Sequence, residues 1–284
     1  MAPTAAALEG EPPVLEQVVA AVAASRKYGG ICPDTIHRVA ARELAAHPCA
    51  GLKELVKATK RGLHQVVAAF ETAVGRAGYD GAYRGLEAAY AAGSEAAVRA
   101  ACREALALHS STHERLPLLD EFYARIWQRT GVPGSVLDLG CGLNPLSLPW
   151  MGLPAGARYE AFDVDAQSIE FVNRYLRLAG QAGQARWQDV LARPPASPAD
   201  VALLLKAGPS FERQGKGATA RLIGALNTRF VVVSFAVASL GGREKGMVDH
   251  YRGRFLATAR EQRWSVEELL FSTELVLVVS GPAG

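Results

Sequence analysis

An acidic residue and two glycines follow a short apolar segment near the middle of the chain. Val136, Leu137 and Leu139 predict a buried strand, with Asp138 near its end. Gly140 and Gly142 let the backbone turn sharply where a side chain would block a ligand. A dinucleotide-binding turn would place a third glycine at the start of a helix facing a pyrophosphate, but Pro145 holds that place. A carboxylate beside such a turn suits a small cationic ligand better than a pyrophosphate.

A second acidic residue narrows the choice of cofactor. The segment YEAFDVD, residues 159–165, predicts a second strand that ends at Asp163, about 20 residues after the turn, where an acid takes ribose hydroxyls. S-adenosylmethionine (SAM) carries a sulfonium, an ammonium and a ribose but no phosphate. Asp138, Gly140 and Asp163 together therefore favour SAM over NAD. Cys141 lies inside the turn as either a nucleophile or a small apolar filler, and we favour the filler.

Composition narrows the function class only in part. The 284 residues include 31 basic and 28 acidic ones, a net charge of +3 that argues neither for nor against a nucleic-acid partner. The 4 cysteines form no C-x-x-C pair and the 6 histidines lack metal-ligand spacing, so we expect reduced thiols, a cytoplasmic protein and no metal. The first residues do not resemble a signal peptide, and the most apolar later segment, 230–240, is far shorter than the roughly 20 residues of a membrane helix. We expect a soluble protein.

The elements that position these residues follow two patterns. Residues 14–108 are alanine-rich with helical periodicity, with a helix starting at Pro33 and a break between helical groups at Gly78–Gly85. From residue 136 onward seven strands alternate with helices, and only Thr273 and Glu274 separate the last two strands, which should therefore be antiparallel.

This pattern predicts an α/β fold, a Rossmann-like seven-stranded sheet with the last strand antiparallel, preceded by a helical domain. It is the plan of class I SAM-dependent methyltransferases. The predicted division is a helical domain over 1–108 and a methyltransferase domain over 109–284.

Two basic segments flank the predicted cofactor site. Residues 26–61 hold 8 basic residues against 3 acidic ones, the basic set being Arg26, Lys27, Arg38, Arg42, Lys53, Lys57, Lys60 and Arg61. A second basic segment, SLGGREKGM over residues 239–247, predicts a loop after the fifth strand, at the sheet edge where open α/β proteins bind ligands. Such clusters bind phosphate backbones, although a basic helix face is otherwise simply solvated.

Several motifs, taken in chain order, resemble one family. They are SRKYGGICPDTIHRVA, KATKRGLHQVVAAF, HSSTHERLPLLDEFYARIW, DLGCGLNPLSLPWMGLP, LLLK and SLGGREKGM. Together they resemble the aminoglycoside-resistance 16S rRNA methyltransferases, in particular the branch that methylates N7 of guanine-1405 in the decoding site of the 30S subunit. The resemblance covers residues 18–279, and its most specific parts are GCGLNPL and GGREKGM.

The resemblance implies a role for individual residues. Arg115 would pair with the methionine carboxylate of SAM, Gly140 would accommodate its methionine end, and Asp163 would take the ribose hydroxyls. The remaining implied roles are the adenine edge for Gln188 and Asp189, the target nucleotide for Lys206, Arg243, Lys245 and Met247, and rRNA docking for Lys27, Lys60 and Arg61. The alternative for Arg115 is a salt bridge with Glu114 or Asp120.

The chain also departs from the family pattern beside the expected target pocket. The family commonly reads F-P-T and a basic residue where this chain has Phe235–Ala238, and a bulky residue and a proline where it has Ala207–Gly208. Three alternatives to guanine-1405 methylation follow: a SAM-binding ribosome-interaction protein without transferase activity, a small-molecule methyltransferase, and methylation of N1 of adenine-1408. The GCGLNPL and GGREKGM motifs favour the guanine.

Overall fold

The N-terminal part of the protein is helical. The computed structural model describes residues 13–67, 74–237 and 245–281. Before the sheet, the described helices are α1 (Pro13–Ala23), α2 (Pro33–Ala46), α3 (Leu52–Val67), α4 (Arg76–Ala91), α5 (Glu95–Leu106), α6 (Ser110–His113) and α7 (Leu119–Thr130). None of the helices in these described ranges is long and apolar enough to span a membrane.

Helices α1 to α3 share an apolar core of their own. Leu15, Val18 and Val22 follow one another at helical spacing on α1 and are buried against residues of α2 and α3. Helix α2 begins at the predicted Pro33, whose missing N–H costs nothing in the first turn. On α3, a Cβ at Gly62 would lie only 2.8 Å from Val39 Cγ1, so the glycine permits the close packing of α2 on α3.

The predicted break at Gly78–Gly85 is wrong, because α4 runs through it without interruption. Tyr79 and Leu86 of this helix are buried in the core that also contains α5 and residues near the sheet. Each helical glycine costs about 1 kcal/mol relative to alanine, and burial of two large side chains outweighs that cost. The division of the chain after residue 108 remains a prediction.

The second part of the protein is a seven-stranded sheet with the order β3-β2-β1-β4-β5-β7-β6. The strands are β1 (Ser135–Leu139), β2 (Arg158–Asp163), β3 (Gly183–Trp187), β4 (Ala199–Leu205), β5 (Thr228–Ala236), β6 (Ser265–Leu270) and β7 (Glu274–Ser280). Strands β1 to β5 run parallel to one another, whereas β7 lies antiparallel between β5 and β6. The predicted sheet, with its antiparallel last strand, is confirmed.

Helices cover both faces of the sheet. The accompanying helices are α8 (Leu148–Met151), α9 (Ala166–Leu178), α10 (Gly208–Gln214), α11 (Ala218–Gly224) and α12 (Lys245–Glu261). Successive residues of β1 point to opposite faces, so Val136 packs with α4, α5, α7 and α9, while Leu137 packs with α10, α11 and α12. Helix α12 begins at Lys245, inside the predicted basic loop, so the loop is shorter than predicted.

Candidate active site

The glycine turn after β1 is held by backbone hydrogen bonds to the end of β2. Gly140 N and Cys141 N both donate to Phe162 O, at 2.9 and 3.0 Å. Gly140 has φ +70°, and a Cβ there would lie 3.2 Å from Ala207 Cβ, so no larger residue fits without a shift. The turn then passes into a short 3-10 helix, Asn144–Ser147, with Pro145 near its start. The turn is therefore shaped differently from a dinucleotide-binding one, as Pro145 predicts.

Cys141 is an apolar filler of this turn. It is buried, and burial raises the pKa of its thiol well above the usual value. A protonated thiol is a poor nucleophile, which agrees with the interpretation from sequence.

Asp138 is a buried carboxyl with one oxygen uncommitted. Its Oδ2 accepts hydrogen bonds from Tyr159 Oη at 2.6 Å and from Asn144 Nδ2 at 3.0 Å. Its Oδ1 is buried and has no partner among the described residues. Burial raises the pKa of Asp138 to about 6. Oδ1 of Asp138 is therefore a buried hydrogen-bond acceptor beside the glycine turn, and such an acceptor fits a cationic group of a small ligand.

Asp163 lies at the end of β2 and holds the turn. Its Oδ2 accepts from Gly142 N at 2.9 Å, while its Oδ1 accepts from Val164 N at 2.7 Å and Asp165 N at 3.1 Å. Burial raises the pKa of Asp163, and these backbone donors oppose that rise. Asp163, the residue predicted to bind the ribose, thus lies next to Gly140 and Gly142, as the sequence indicates.

Arg115 lies in a buried ion pair that sequence reasoning missed. Its side chain is 2% exposed, and its Nη2 and Nε donate to Glu274 at 2.7 and 3.1 Å. Its Nη1 donates to Asn144 Oδ1 at 2.9 Å, which links the guanidinium to the glycine turn. The predicted salt-bridge alternative is therefore realised with Glu274 instead of Glu114 or Asp120. Contact of Arg115 with a methionine carboxylate remains a prediction, made through a guanidinium that already has a carboxylate partner.

The only sequence signal for Glu274 is an acidic residue at the start of the apolar strand ELVLVVS. The antiparallel register sets Glu274 opposite Ala236, at the carboxyl end of β5. Ser234 Oγ donates to its carboxylate at 2.5 Å.

Lys206 lies in the same cluster. It has φ +59°, a strained conformation for a residue with a side chain, just after β4. Its Nζ donates to Glu114 Oε2 at 2.7 Å and to Ser111 O at 3.1 Å, and lies 3.6 Å from Glu274 Oε2. Arg115 and Lys206, predicted for the cofactor and the target nucleotide respectively, therefore share one carboxylate.

The two residues predicted for the adenine edge follow β3. Asp189 is buried, and its Oδ2 accepts from Arg38 Nε and Nη2 at 2.9 and 2.7 Å. Its Oδ1 accepts from the backbone of Leu191 at 2.9 Å. Gln188 Nε2 donates to Arg193 O at 2.7 Å. Both side chains thus have protein partners, and a contact with adenine remains a prediction for each.

The predicted rRNA-docking residues lie on the helical part. Lys27 is exposed after α1, and its Nζ lies 3.4 Å from His64 Nδ1 of α3. On α3, Lys60 is half-buried and Arg61 is exposed, and Lys53 and Lys57 are exposed on the preceding turns. Two other basic residues of segment 26–61 form ion pairs within the protein: Arg38 binds Asp189, and Arg42 binds Glu43 at 2.7 Å.

The remaining predicted target residues are only partly described. Lys245 and Met247 stand in the first turn of α12, but only their backbone is described, and Arg243 lies outside the described residues. No cluster that could hold a metal ion occurs among the side chains of the described ranges.

The fold and the glycine turn define the class of protein. The seven-stranded sheet has an antiparallel strand β7, and carboxylates lie at the ends of β1 and β2 around the glycine turn. This arrangement is that of a SAM-dependent methyltransferase. The chain belongs to the family described as ribosomal RNA methyltransferase (FmrO), whose model matches residues 24–278. The resemblance seen in the sequence is confirmed.

Individual relatives match nearly the whole chain. A 16S rRNA (guanine(1405)-N(7))-methyltransferase of Frankia casuarinae is 42% identical over 268 residues, covering 93% of each chain. An enzyme of the same name from Micromonospora echinospora is 40% identical over 265 residues, covering 93% of this chain and 96% of its own. The structure of the 16S rRNA methyltransferase RmtF in complex with S-adenosyl-L-homocysteine is similar with TM-score 0.78 and 34% identity, covering 95% of this chain and 99% of that one.

The residues present fit SAM as cofactor. The uncommitted Oδ1 of Asp138 supplies an acceptor for a cationic group beside the glycine turn. Asp163 adds a carboxylate suited to ribose hydroxyls at the adjacent strand end.

Proposed function

We propose that the protein methylates N7 of guanine 1405 in 16S rRNA, with SAM as methyl donor. The observation that carries this proposal is the match over 93% of the chain to enzymes of that name at 42% and 40% identity. The unpartnered, buried Oδ1 of Asp138 beside the glycine turn supports it, because a methyl donor with a cationic group needs such an acceptor.

The proposal extends to the setting of the reaction. The substrate is the assembled 30S subunit, the enzyme acts as a monomer in the cytoplasm without a metal ion, and methylation confers aminoglycoside resistance. The exposed basic residues of α3 support RNA binding, since phosphate backbones attract such clusters.

The chemistry requires little of the protein beyond positioning. When bound, SAM supplies an electrophilic methyl group, and guanine N7 carries a free lone pair at neutral pH, so no residue has to remove a proton before attack. Asp138 and Asp163 bind the cationic and ribose parts of the cofactor, and Gly140 keeps the turn clear of side chains. The residues thus act by orientation and by excluding water, both of which lower the barrier to an in-line transfer.

Lys206 serves on the target side. Its side chain is 8% exposed and its ammonium is held by Glu114 and Glu274, so its position is fixed before rRNA arrives. A base inside folded rRNA has to leave its stack to reach a buried cofactor. Lys206, together with Arg243, then holds the extruded nucleotide through its phosphate or guanine O6.

Methyl transfer from labelled SAM to purified 30S subunits tests the proposal. The expected result is incorporation into 16S rRNA, with a strand break at guanine 1405 after borohydride and aniline treatment, a reaction specific to N7-methylguanine. SAM binding without incorporation would instead identify a ribosome-interaction protein, and a primer-extension stop at adenine 1408 would identify the other decoding-site base.

Two variants assign the roles within the site. Asp163→Ala should abolish SAM binding in isothermal titration, because it removes the carboxylate at the end of β2. Arg243→Ala should abolish methylation and leave SAM affinity nearly unchanged. A parallel loss of SAM affinity in Arg243→Ala would overturn the assignment of that residue to the target.

A further inference from the structure

A histidine to which the sequence motifs assign no role lies against the cofactor turn. His109 follows α5, is 5% exposed, and lines a cavity of about 200 Å³ together with Gly142, Asp163, Asp165 and Ser168. The nearest atom to a Cβ placed on Gly142 is His109 Nδ1, at 3.3 Å. That nitrogen is buried and has no hydrogen-bond partner in the described part of the chain.

The hydrogen bonds around His109 determine which nitrogen carries the proton. Ser168 Oγ donates to Asp165 Oδ2 at 2.7 Å, so its single proton is committed to the carboxylate. Tyr79 Oη lies 3.1 Å from Ser168 Oγ, and must therefore be the donor in that bond. Its oxygen is left to accept, and His109 Nε2, at 2.7 Å, must donate to it.

The chain of donors thus leaves the proton of His109 on Nε2 and a bare lone pair on Nδ1. Burial lowers the pKa of His109 to about 4, which keeps the ring neutral at physiological pH. Burial also raises the pKa of Tyr79 to about 12, so its hydroxyl keeps the proton that this arrangement needs. A buried acceptor without a donor costs about 1 to 3 kcal/mol, and the cavity lined by Gly142 and Asp163 is where a donor can enter.

We propose that His109 is a cofactor-binding residue whose Nδ1 accepts a hydrogen bond from SAM, either from a ribose hydroxyl or from the methionine ammonium. A bare lone pair on Nδ1 calls for a hydrogen-bond donor, and because Arg26 and Lys27 also line the cavity, their positive charge favours the neutral ribose hydroxyl over the ammonium. The proposal rests on SAM as cofactor and is independent of the rRNA target.

Binding of S-adenosylhomocysteine to the isolated protein, measured by isothermal titration, tests the proposal without any methyl transfer. His109→Phe puts a somewhat larger aromatic ring in place of the imidazole and removes the acceptor, and affinity should fall about tenfold or more. Tyr79→Phe keeps the Nδ1 acceptor of His109 but removes the hydroxyl that holds the proton on Nε2. Both tautomers of His109 are then populated, so affinity for S-adenosylhomocysteine should fall by at most about twofold. The exposed His113→Phe on α6 is the matched control and should bind as the unaltered protein does.

The choice of ligand separates the two donors. 5′-Methylthioadenosine has the ribose but lacks the amino acid. If the ribose hydroxyl is the donor, His109→Phe also weakens binding of methylthioadenosine; if the ammonium is the donor, the loss is confined to S-adenosylhomocysteine.

Nitrogen-15 NMR spectra of the unaltered protein test the proposal even if the variants misfold. The His109 ring should show the neutral Nε2–H tautomer, and S-adenosylhomocysteine should shift the Nδ1 resonance upfield as it accepts a hydrogen bond. An Nδ1 resonance that the ligand does not move, or a folded His109→Phe protein with unchanged affinity, would overturn the proposal. Failure of 30S methylation with these binding results intact would count against the proposed function alone.

Discussion

Two cations of the site, Arg115 and Lys206, share one buried carboxylate. Glu274 is fully buried and faces Arg115 and Lys206, so the two cations predicted to hold cofactor and target are positioned by the same group. A charge-assisted, bidentate pair of this kind fixes side-chain orientation as well as supplying energy.

Removing that charge should be costly. Glu274→Gln leaves Arg115 buried without a counter-charge and should lower the free energy of unfolding by about 3 to 5 kcal/mol, as measured by urea denaturation. Glu267→Gln on β6 is the matched control, since its partner Arg129 is 45% exposed and its own side chain is 64% exposed. A Glu274→Gln protein as stable as this control would contradict the role of the cluster.

Asp138 should make cofactor binding depend on pH. Because burial raises its pKa to about 6, the carboxyl is increasingly protonated below that pH and attracts a cationic group less. Affinity for S-adenosylhomocysteine should therefore rise with pH up to a little above 6 and then level off, in titrations between pH 5 and 8. The same raised pKa means that stability contributed by the neutral carboxyl is lost as pH rises through about 6.

Asp138→Asn separates this effect from that of Asp163, whose pKa is also raised by burial. The variant should bind more weakly at pH 8 and lose most of the pH dependence. If the slope persists unchanged in Asp138→Asn, a different group controls it.

Sequence reasoning placed the residues that depend on local pattern. Asp138, Gly140 and Asp163 were predicted because the strand, the turn and the acid at the end of the next strand all lie within 30 positions of one another. Glu274 was missed because its partner Arg115 is 159 positions away, and only the antiparallel register of β7 brings it to the cofactor edge. His109 was missed since its role depends on a tautomer set by Tyr79 and Ser168, from two other elements.

At the scale of elements, one arginine joins the helical part to the sheet. Arg38 of α2 binds Asp189 after β3 and also donates to Gln214 Oε1 of α10 at 2.5 Å. The predicted adenine residue is therefore connected directly to a helix of the basic, N-terminal part. The sequence did not reveal this, because Arg38 was counted only among the surface charges of residues 26–61.

The coupling between Arg38 and Asp189 can be measured. A double-mutant cycle of Arg38→Ala and Asp189→Asn, followed by urea denaturation, should give a coupling free energy of about 1 kcal/mol or more, discounted because Arg38 is 25% exposed. Arg129→Ala is the control, since Arg129 pairs with Glu267 on β6, at the opposite edge of the sheet from β3, and should not couple to Asp189→Asn. Additive effects of Arg38→Ala and Asp189→Asn would rule out the connection.

Across the whole molecule, the two predicted sites lie on different parts of the fold. The residues predicted to bind the cofactor lie at the carboxyl edge of the sheet, and α3 presents a basic face made of Lys53, Lys57, Lys60 and Arg61. Alternation of strands and helices was enough to predict the sheet, since hydrophobic period is local. The uninterrupted α4 was not predicted, because its stability comes from burial of Tyr79 and Leu86 rather than from its glycine-rich sequence.

The basic face predicts salt-sensitive binding to the ribosomal subunit. Neutralising Lys60 and Arg61 together should weaken 30S binding and lower the slope of log affinity against log salt by about 2, or about 1 for each lost phosphate contact. Arg229 is an exposed charge near the start of β5, at the end of the strands opposite their carboxyl ends. Arg229→Ala is therefore the control and should leave the slope unchanged. Equal slopes for both proteins would place the docking surface elsewhere.

Guanine 1405 is the one base of the 30S subunit proposed to receive the methyl group. Methylation of matched 30S subunits with guanine or adenine at position 1405 tests this target. Stoichiometric transfer to the guanine subunits, located at that base by aniline cleavage, and background transfer to the adenine subunits are expected. Equal incorporation into both would show that the base at position 1405 is not the methyl acceptor.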